Sequence, residues 1–248
     1  MRIPRIYTGR VLQAESTFDL EPGPSQHLAR ALRMQQGGSL ILFDGRGGQY
    51  PATITALGKK QVSVRTGAHV SCEWESPLAI QLGIAISRGD RMDWVVQKAT
   101  ELGVSRITPL LTERTEVKLK GERAAKKIAH WQQVVISACE QCGRNTVPPV
   151  SPLRSLEGWW AEAQAELKLV LHHRAETLET ASATPASIAL LVGPEGGLSA
   201  AEIAAAEQQG FQSLRLGPRV LRTETAPLTA LAVLQSRWGD LGFQGTSE

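Results

Sequence analysis

The sequence predicts two folded parts, a small β-rich domain followed by an α/β domain built on a parallel sheet. Three observations carry this prediction. Up to about Ser71, short apolar runs of period two are separated by glycine-rich turns, as in small barrels of short strands. From Leu78 onward strand-like and helix-like patterns alternate, which is the logic of βαβ units with right-handed crossovers. Late in the chain two apolar runs break abruptly into Gly193-Pro194 and Gly217-Pro218, each followed by a polar loop. Buried parallel strands deliver ligand loops in this way at their carboxyl ends.

The 248 residues, 42% of them apolar, suffice for one large core or two small ones, and the formal charge of +3 permits an acidic partner without requiring one. Three cysteines, an odd number, argue against a disulfide framework and fit a reducing compartment. Cys139-x-x-Cys142 has no second pair to complete a zinc site and lies on the apolar stripe of a helix, so both cysteines are expected in the core and no metal is expected. No stretch approaches the roughly 18 consecutive apolar residues of a membrane span. The expectation is a soluble, cytoplasmic protein without membrane contact.

Taken in order, Ser39 to Phe43 reads as a strand running into the turn Asp44-Gly45-Arg46-Gly47-Gly48, and Tyr50 to Ile54 and Gln61 to Arg65 alternate as strands. One short helix, about Ser25 to Met34, interrupts them, and a change of composition between Thr66 and Pro77 sets the expected domains at 1–72 and 78–242. Ala79 to Ile86 is then a strand, and Asp90 to Leu102 a helix with Met92, Val95, Val96, Ala99 and Leu102 on one face, closed by Gly103. Ile107 to Leu111 is the next strand. Thr112 to Lys127 is a run of mixed charge, the usual composition of a solvated surface. A long helix follows with Ala124, Ile128, Trp131, Val135, Ala138 and Cys142 on its stripe, and Glu140 and Arg144 stand at i,i+4 as an ion pair would. Trp159 and Trp160 are expected to pack. Leu167 to Leu171 is a strand ending at His172-His173, whose side chains an extended backbone points to opposite faces, against a shared metal.

Leu190 to Ala226 is the most informative stretch. Ser199 and Glu202 have the spacing of a capping box, so a helix starts there, and Gly210 ends it. Gly193, Gly196 and Gly197 leave the preceding loop bare where something approaches the backbone. The second loop places Arg219, Arg222, Thr223, Glu224 and Thr225 between apolar flanks, more polarity than a connector of this length requires. Pro227 suits the first turn of a last helix, capped by Thr225 or Ala226, with Leu228, Leu231, Ala232, Gln235 and Trp238 along one face. Neither G-x-x-x-x-G-K-[ST] nor G-x-G-x-x-G is present, so neither a nucleoside triphosphate nor a dinucleotide oxidoreductase is the expected reading.

Gly193-Pro194-Glu195-Gly196-Gly197-Leu198-Ser199 followed by Leu216 to Ala226, with Arg2-Ile3-Pro4-Arg5-Ile6-Tyr7 and Gln97-Lys98-Ala99-Thr100-Glu101-Leu102-Gly103-Val104 earlier in the chain, resembles the RsmE family. These are uridine-N3 methyltransferases of small-subunit (16S) ribosomal RNA, of the SPOUT class. The resemblance covers almost the whole length. It implies a PUA-like RNA-binding domain, then a SPOUT α/β domain in which Leu216 to Ala226 threads a loop to form a trefoil knot, with two knots paired in a homodimer. It also implies S-adenosyl-L-methionine held by Leu171, His172, Gly193, Pro194, Glu195, Gly196, Leu216, Gly217, Leu221, Arg222, Thr223, Thr225 and Ala226.

The acceptor implied is one uridine of the 30S subunit. Uracil N3 must lose a proton before it is a good nucleophile, so the site needs a proton acceptor or a cation for the developing anion. Glu195, Glu224 and Arg222 are the candidates for catalysis. Arg2, Arg5, Arg10, Arg30, Arg33 and Arg46 supply guanidiniums for phosphate in the first domain, while Arg88, Lys98, Glu101 and Arg144 are expected to face RNA or a second subunit. The competing expectation is a non-catalytic RNA-binding assembly factor with a retained cofactor pocket.

Overall fold

The structure, a computed structural model, describes residues 3–58, 61–172 and 184–242. Arg2 and His173, both named above, lie outside them. The chain forms two compact units, one of residues 1–75 with 136–147, the other of residues 76–135 with 148–248.

The first unit is a five-stranded sheet. Its strands are β1 (Arg5–Tyr7), β2 (Thr17–Asp19), β3 (Ser39–Phe43), β4 (Tyr50–Leu57) and β5 (Val62–Thr66), in the order β1-β3-β4-β5-β2. Only the β1/β3 pair is parallel, and the β4/β5 pairing shifts register between Ile54 and Ala56, a bulge that bends the sheet over its core. Alternating residues Leu40, Leu42, Ala52, Ile54, Val62 and Val64 join Ile6, Leu12, Leu20 and Leu28 in that core. The expected helix at 25–34 begins earlier, as α1 (Pro22–Gln26), and continues as a π-helical turn over His27–Ala31. Proline stands at its first turn, where a missing N–H costs nothing.

Residues 136–147 belong to the first unit for a reason no local pattern reveals. Glu140 accepts from the Tyr7 N–H at 3.0 Å, Arg144 pairs with Glu75 through Nε at 3.0 Å, and Asn145 Oδ1 accepts from Arg5 at 2.7 Å. Glu140 and Arg144 therefore do not pair with each other. Burial raises the Glu140 carboxyl pKa against the lowering effect of the Tyr7 N–H. Burial also pushes the Cys139 thiol up to about 12, so this buried, free cysteine behaves as an apolar filler.

The second unit is a six-stranded sheet in the order β11-β9-β10-β6-β7-β8, and every pairing is parallel. Its strands are β6 (Ala79–Ala85), β7 (Val104–Leu111), β8 (Arg154–Ser155), β9 (Leu167–Leu171), β10 (Ser187–Val192) and β11 (Gln212–Leu214). The helices are α2 (Arg91–Glu101), α3 (Gly121–Cys142), whose residues from 136 on belong to the first unit, α4 (Leu156–Glu162), α5 (Ala200–Gln208) and α6 (Thr225–Trp238). The short pieces β8, α4 and β11 carry too few residues to show a period, and β7 begins before its expected start at Ile107. β10 is buried from Ile188 to Val192, so it reads as an unbroken apolar run, as strands covered on both faces do.

Helix α2 is pinned to α3 by one carboxylate. Asp93 accepts from Trp131 Nε1 at 2.8 Å, meets His130 Nε2 at 2.6 Å and lies 3.4 Å from Lys127 Nζ. The final helix buries Pro227, Ala230, Leu231, Leu234 and Gln235, so that Leu231 and Gln235 of the expected stripe are buried while Leu228, Ala232 and Trp238 are only half-buried. The helix starts at Thr225 with Glu224 as its cap, and its buried face is set by Gln235, which donates to the Gly103 carbonyl and accepts from Ser76. Among the described residues no helix is long and apolar enough to cross a membrane.

Trp159 is 2% exposed, its ring lies tilted 5.6 Å from that of Phe211, and it covers Gly83 of β6. A Cβ at Gly83 would sit 2.5 Å from the Trp159 ring. Gly83→Ala is therefore expected to destabilise the protein by about 1–3 kcal/mol through overpacking. Urea unfolding checks this, and an unchanged midpoint would show that the ring has room to move.

Candidate active site

Because β11, β9 and β10 are adjacent and parallel, their carboxyl ends open side by side. A cleft of about 650 Å³ lies there, the position where open α/β sheets bind ligands. The end of β9 contributes Leu171 and His172, the loop after β10 contributes Gly193 to Leu198, and the loop after β11 contributes Leu216, Gly217, Arg219, Val220, Leu221 and Thr223 before Ala226 of α6. All the residues expected to hold the cofactor line it except Arg222 and Thr225. Val192, Leu198, Ile203, Ala204 and Leu214 complete the wall; Leu198 and Ile203 sit within ordinary loop and helix patterns, and only the fold brings them here.

The first loop is built tightly. A Cβ at Gly193 would lie 2.9 Å from the Leu198 N–H nitrogen, so the turn closes only with glycine there. Ser199 and Glu202 form the expected capping box, with Ser199 Oγ accepting from the Glu202 N–H at 3.3 Å and Glu202 Oε2 from the Ser199 N–H at 2.8 Å. The other Glu202 oxygen accepts from the Glu113 N–H at 2.7 Å, and Arg114 donates to the Gly196 carbonyl at 2.8 Å. The start of the charged segment after β7 is thus a strap across the first loop, and Arg114, whose place in a charge run gave no signal, lines the cleft.

Glu195 accepts from the Arg88 N–H at 2.9 Å and from Arg91 Nη1 at 3.1 Å. Burial would raise its pKa, but these bonds and its own N–H outweigh it and hold the carboxyl below the usual range. Glu224 lies 3.8 Å from Arg91 Nε and makes no side-chain cap to α6. Arg222 is exposed, its carbonyl accepts from the Thr225 and Ala226 N–H groups, and among the described residues no carboxylate pairs with its guanidinium.

The residues expected to meet RNA divide. Arg10, Arg30, Arg33 and Arg46 are exposed. Arg5 is spent on Asn145, Gln49 and the Phe43 ring, and Arg144, 4% exposed, on Glu75; both are structural, because the ends of their side chains are already bonded inside the first unit. Arg88 pairs with Glu116, and Lys98 with Glu101 at 2.8 Å beside the Trp94 ring. Among the described residues no cluster of histidine, cysteine or carboxylate could hold a metal.

Residues 74–235 match the RNA methyltransferase domain family and residues 25–66 its PUA domain. Ribosomal RNA small subunit methyltransferase E of Buchnera aphidicola is 35% identical over 97% of this chain and 98% of its own length. The chain belongs to the ribosomal RNA small subunit methyltransferase E family. Two solved structures agree over nearly the full length. A member of this family from Neisseria gonorrhoeae, bound to S-adenosyl methionine, is 42% identical with a TM-score of 0.91, covering 96% of this chain and 99% of that one. A protein from Legionella pneumophila, in complex with the bound cofactor SAM, is 46% identical with a TM-score of 0.93, covering 97% of this chain and 100% of that one.

A carboxylate with a depressed folded pKa adds stability above its unfolded value, and that contribution is lost as pH falls through the folded value. Glu195 in this methyltransferase-family chain is thus expected to stay ionised below the ordinary glutamate midpoint and to release Arg88 and Arg91 only in stronger acid. Carbon-detected titration of Glu195 checks the direction; a midpoint at or above that of a free glutamate would contradict it.

Proposed function

We propose that this protein transfers a methyl group from S-adenosyl-L-methionine to N3 of one uridine of small-subunit (16S) ribosomal RNA, in the assembled 30S subunit, and works as a homodimer. The single observation that carries this reading is the cleft at the carboxyl ends of β9, β10 and β11, formed by the two loops whose sequences resemble the family's paired signature. Its size is within the roughly 300–1,000 Å³ of small-ligand sites. Val192, Leu198, Leu214, Leu216 and Leu221 present apolar surface suited to an adenine ring, and the glycine-rich loop exposes backbone groups for its polar edge. Leu171, His172, Gly193, Pro194, Gly196, Gly217, Thr223 and Ala226 join them in holding it, with Thr225 one residue away at the head of α6.

The path of the chain supports the knot. From β11 at the sheet edge the chain runs through Leu216, Gly217, Leu221 and Thr223, which line the cleft with residues that follow β9 and β10, to reach α6, which packs on α2. In this reading that run is the threaded segment.

When bound, S-adenosylmethionine would supply an electrophilic methyl group whose bond to the sulfonium sulfur breaks as the acceptor nitrogen bonds to it in line, S-adenosylhomocysteine being the leaving group. The protein's own groups must bring N3 within reach, shed water and manage a proton. The acceptor uridine leaves its stack to enter the site, since N3 is otherwise shielded by neighbours or a pairing partner. Glu195 is a weak proton acceptor, with its carboxyl held low by Arg88 and Arg91; we assign it and Glu224 to holding the loops. Arg222 is the cation for the negative charge that develops on the uracil carbonyl oxygens, which makes the N3 proton acidic enough to pass to solvent. The exposed arginines of the PUA domain, Arg10, Arg30, Arg33 and Arg46, meet RNA phosphates, which position without reading sequence.

Incubating the protein with labelled S-adenosylmethionine and 30S subunits from a strain lacking the gene is expected to yield 3-methyluridine on nucleoside analysis. Labelled free RNA with unlabelled subunits would move the substrate to an earlier assembly stage, and no label in either would favour a non-catalytic assembly factor. Arg222→Ala is expected to lower kcat by about 10²–10³-fold, as loss of one oxyanion donor does, with S-adenosylmethionine affinity changed little. An unaltered kcat would remove Arg222 from the chemistry.

A further inference from the structure

The geometry points to Arg91, at the first turn of α2, as the positioning residue that holds both cofactor loops closed, an inference that rests on the reading of the cleft as the methyl-donor site. Arg91 Nη1 lies 3.1 Å from Glu195 Oε1 in the loop after β10, and its Nε lies 3.8 Å from Glu224 Oε2 in the loop after β11. These loops leave different strands and both line the cleft, and one guanidinium reaches a carboxylate in each. The planar fork of arginine can do this because its Nε and Nη1 edges diverge, whereas a lysine offers one point of charge.

The surroundings fit a clamp. The Arg88 N–H donates to the same Glu195 oxygen as Arg91, so the segment entering α2 grips the first loop by backbone and by side chain. Glu224 makes no cap to its own helix, which leaves its carboxylate free to answer Arg91. The three side chains are partly exposed, at 41%, 31% and 24%. Pairs exposed to this degree add little to global stability. Their effect falls instead on which loop positions are populated. A cleft whose walls must be ordered by the ligand binds it more weakly, because the population competent to bind is smaller.

Arg91 touches neither reacting atom in this arrangement. Its loss is therefore expected in binding more than in chemistry, and to be felt equally by two loops that share no sequence. The test uses the full-length protein. Arg91→Gln is expected to raise KM for S-adenosylmethionine about tenfold with kcat changed less than threefold and the melting temperature nearly unchanged. Arg91→Lys should recover only part of the KM. Without any ligand, amide hydrogen exchange in Arg91→Gln should quicken at residues 193–198 and at 216–224 together. Non-additivity completes the test: Arg91→Gln combined with Glu195→Gln should lose no more than Arg91→Gln alone.

A drop in kcat and melting temperature at constant KM would show Arg91 to be merely structural and overturn the proposal, as would faster exchange in one loop only. Failure of the wild-type protein to bind S-adenosylmethionine in calorimetry would instead sink the functional reading, while the ligand-free exchange experiment would still decide whether Arg91 clamps both loops.

Discussion

The register of β10 between β6 and β9 is the constraint from which the rest of the second unit follows. Ile188 pairs with Ile80 on one side and with Leu167 on the other, so three buried strands run parallel and finish near one level. A one-residue shift would turn every side chain of β10 to the other face and unmake the close packing against the residues that cover the sheet on both sides. With β11 paired outside β9, the carboxyl ends of β9, β10 and β11 meet at one edge. The cleft is a consequence of strand order.

Electrostatics then hold that edge in shape. Arginines reach the loops from segments remote in sequence: Arg91 from the head of α2 to Glu195 and Glu224, and Arg114 from the strap after β7 to the Gly196 carbonyl. Glu202 serves twice, as half of a capping box and as acceptor for the Glu113 N–H. The loops are rich in glycine and would otherwise be costly to order, so the contacts that order them come from outside. This division of labour leaves Arg222 exposed and without a carboxylate partner among the described residues.

The first unit spends its arginines in two ways. Arg5 and Arg144 join Asn145, Gln49 and Glu75 in a network that gathers residues 136–147 onto the first sheet, while Arg10, Arg30, Arg33 and Arg46 remain at the surface. Composition cannot distinguish these two uses. A guanidinium in a list of basic residues looks the same whether its partner is a phosphate or a buried carboxylate.

By itself the sequence determined the two-part architecture, the long elements and the two loops that form the cleft, because each rests on local physics. Period two marks strands, an unbroken apolar run marks β10, and the Ser199–Glu202 spacing marks a helix start that the structure reproduces to the residue. Tertiary structure alone decided the rest. The buried face of α6 keeps Leu231 and Gln235 of the expected stripe but takes Pro227, Ala230 and Leu234 in place of Leu228, Ala232 and Trp238, with Gln235 bonded to Gly103 and Ser76. Glu140 and Arg144, set for each other by spacing, found Tyr7 and Glu75 instead, since buried polar groups bond to whatever the fold brings close. Arg91 has no signature at all in the sequence, because its meaning lies in two carboxylates more than a hundred residues away. Local pattern reports the free energy of a segment, and a site held by long-range ion pairs exists only once the strands have been ordered.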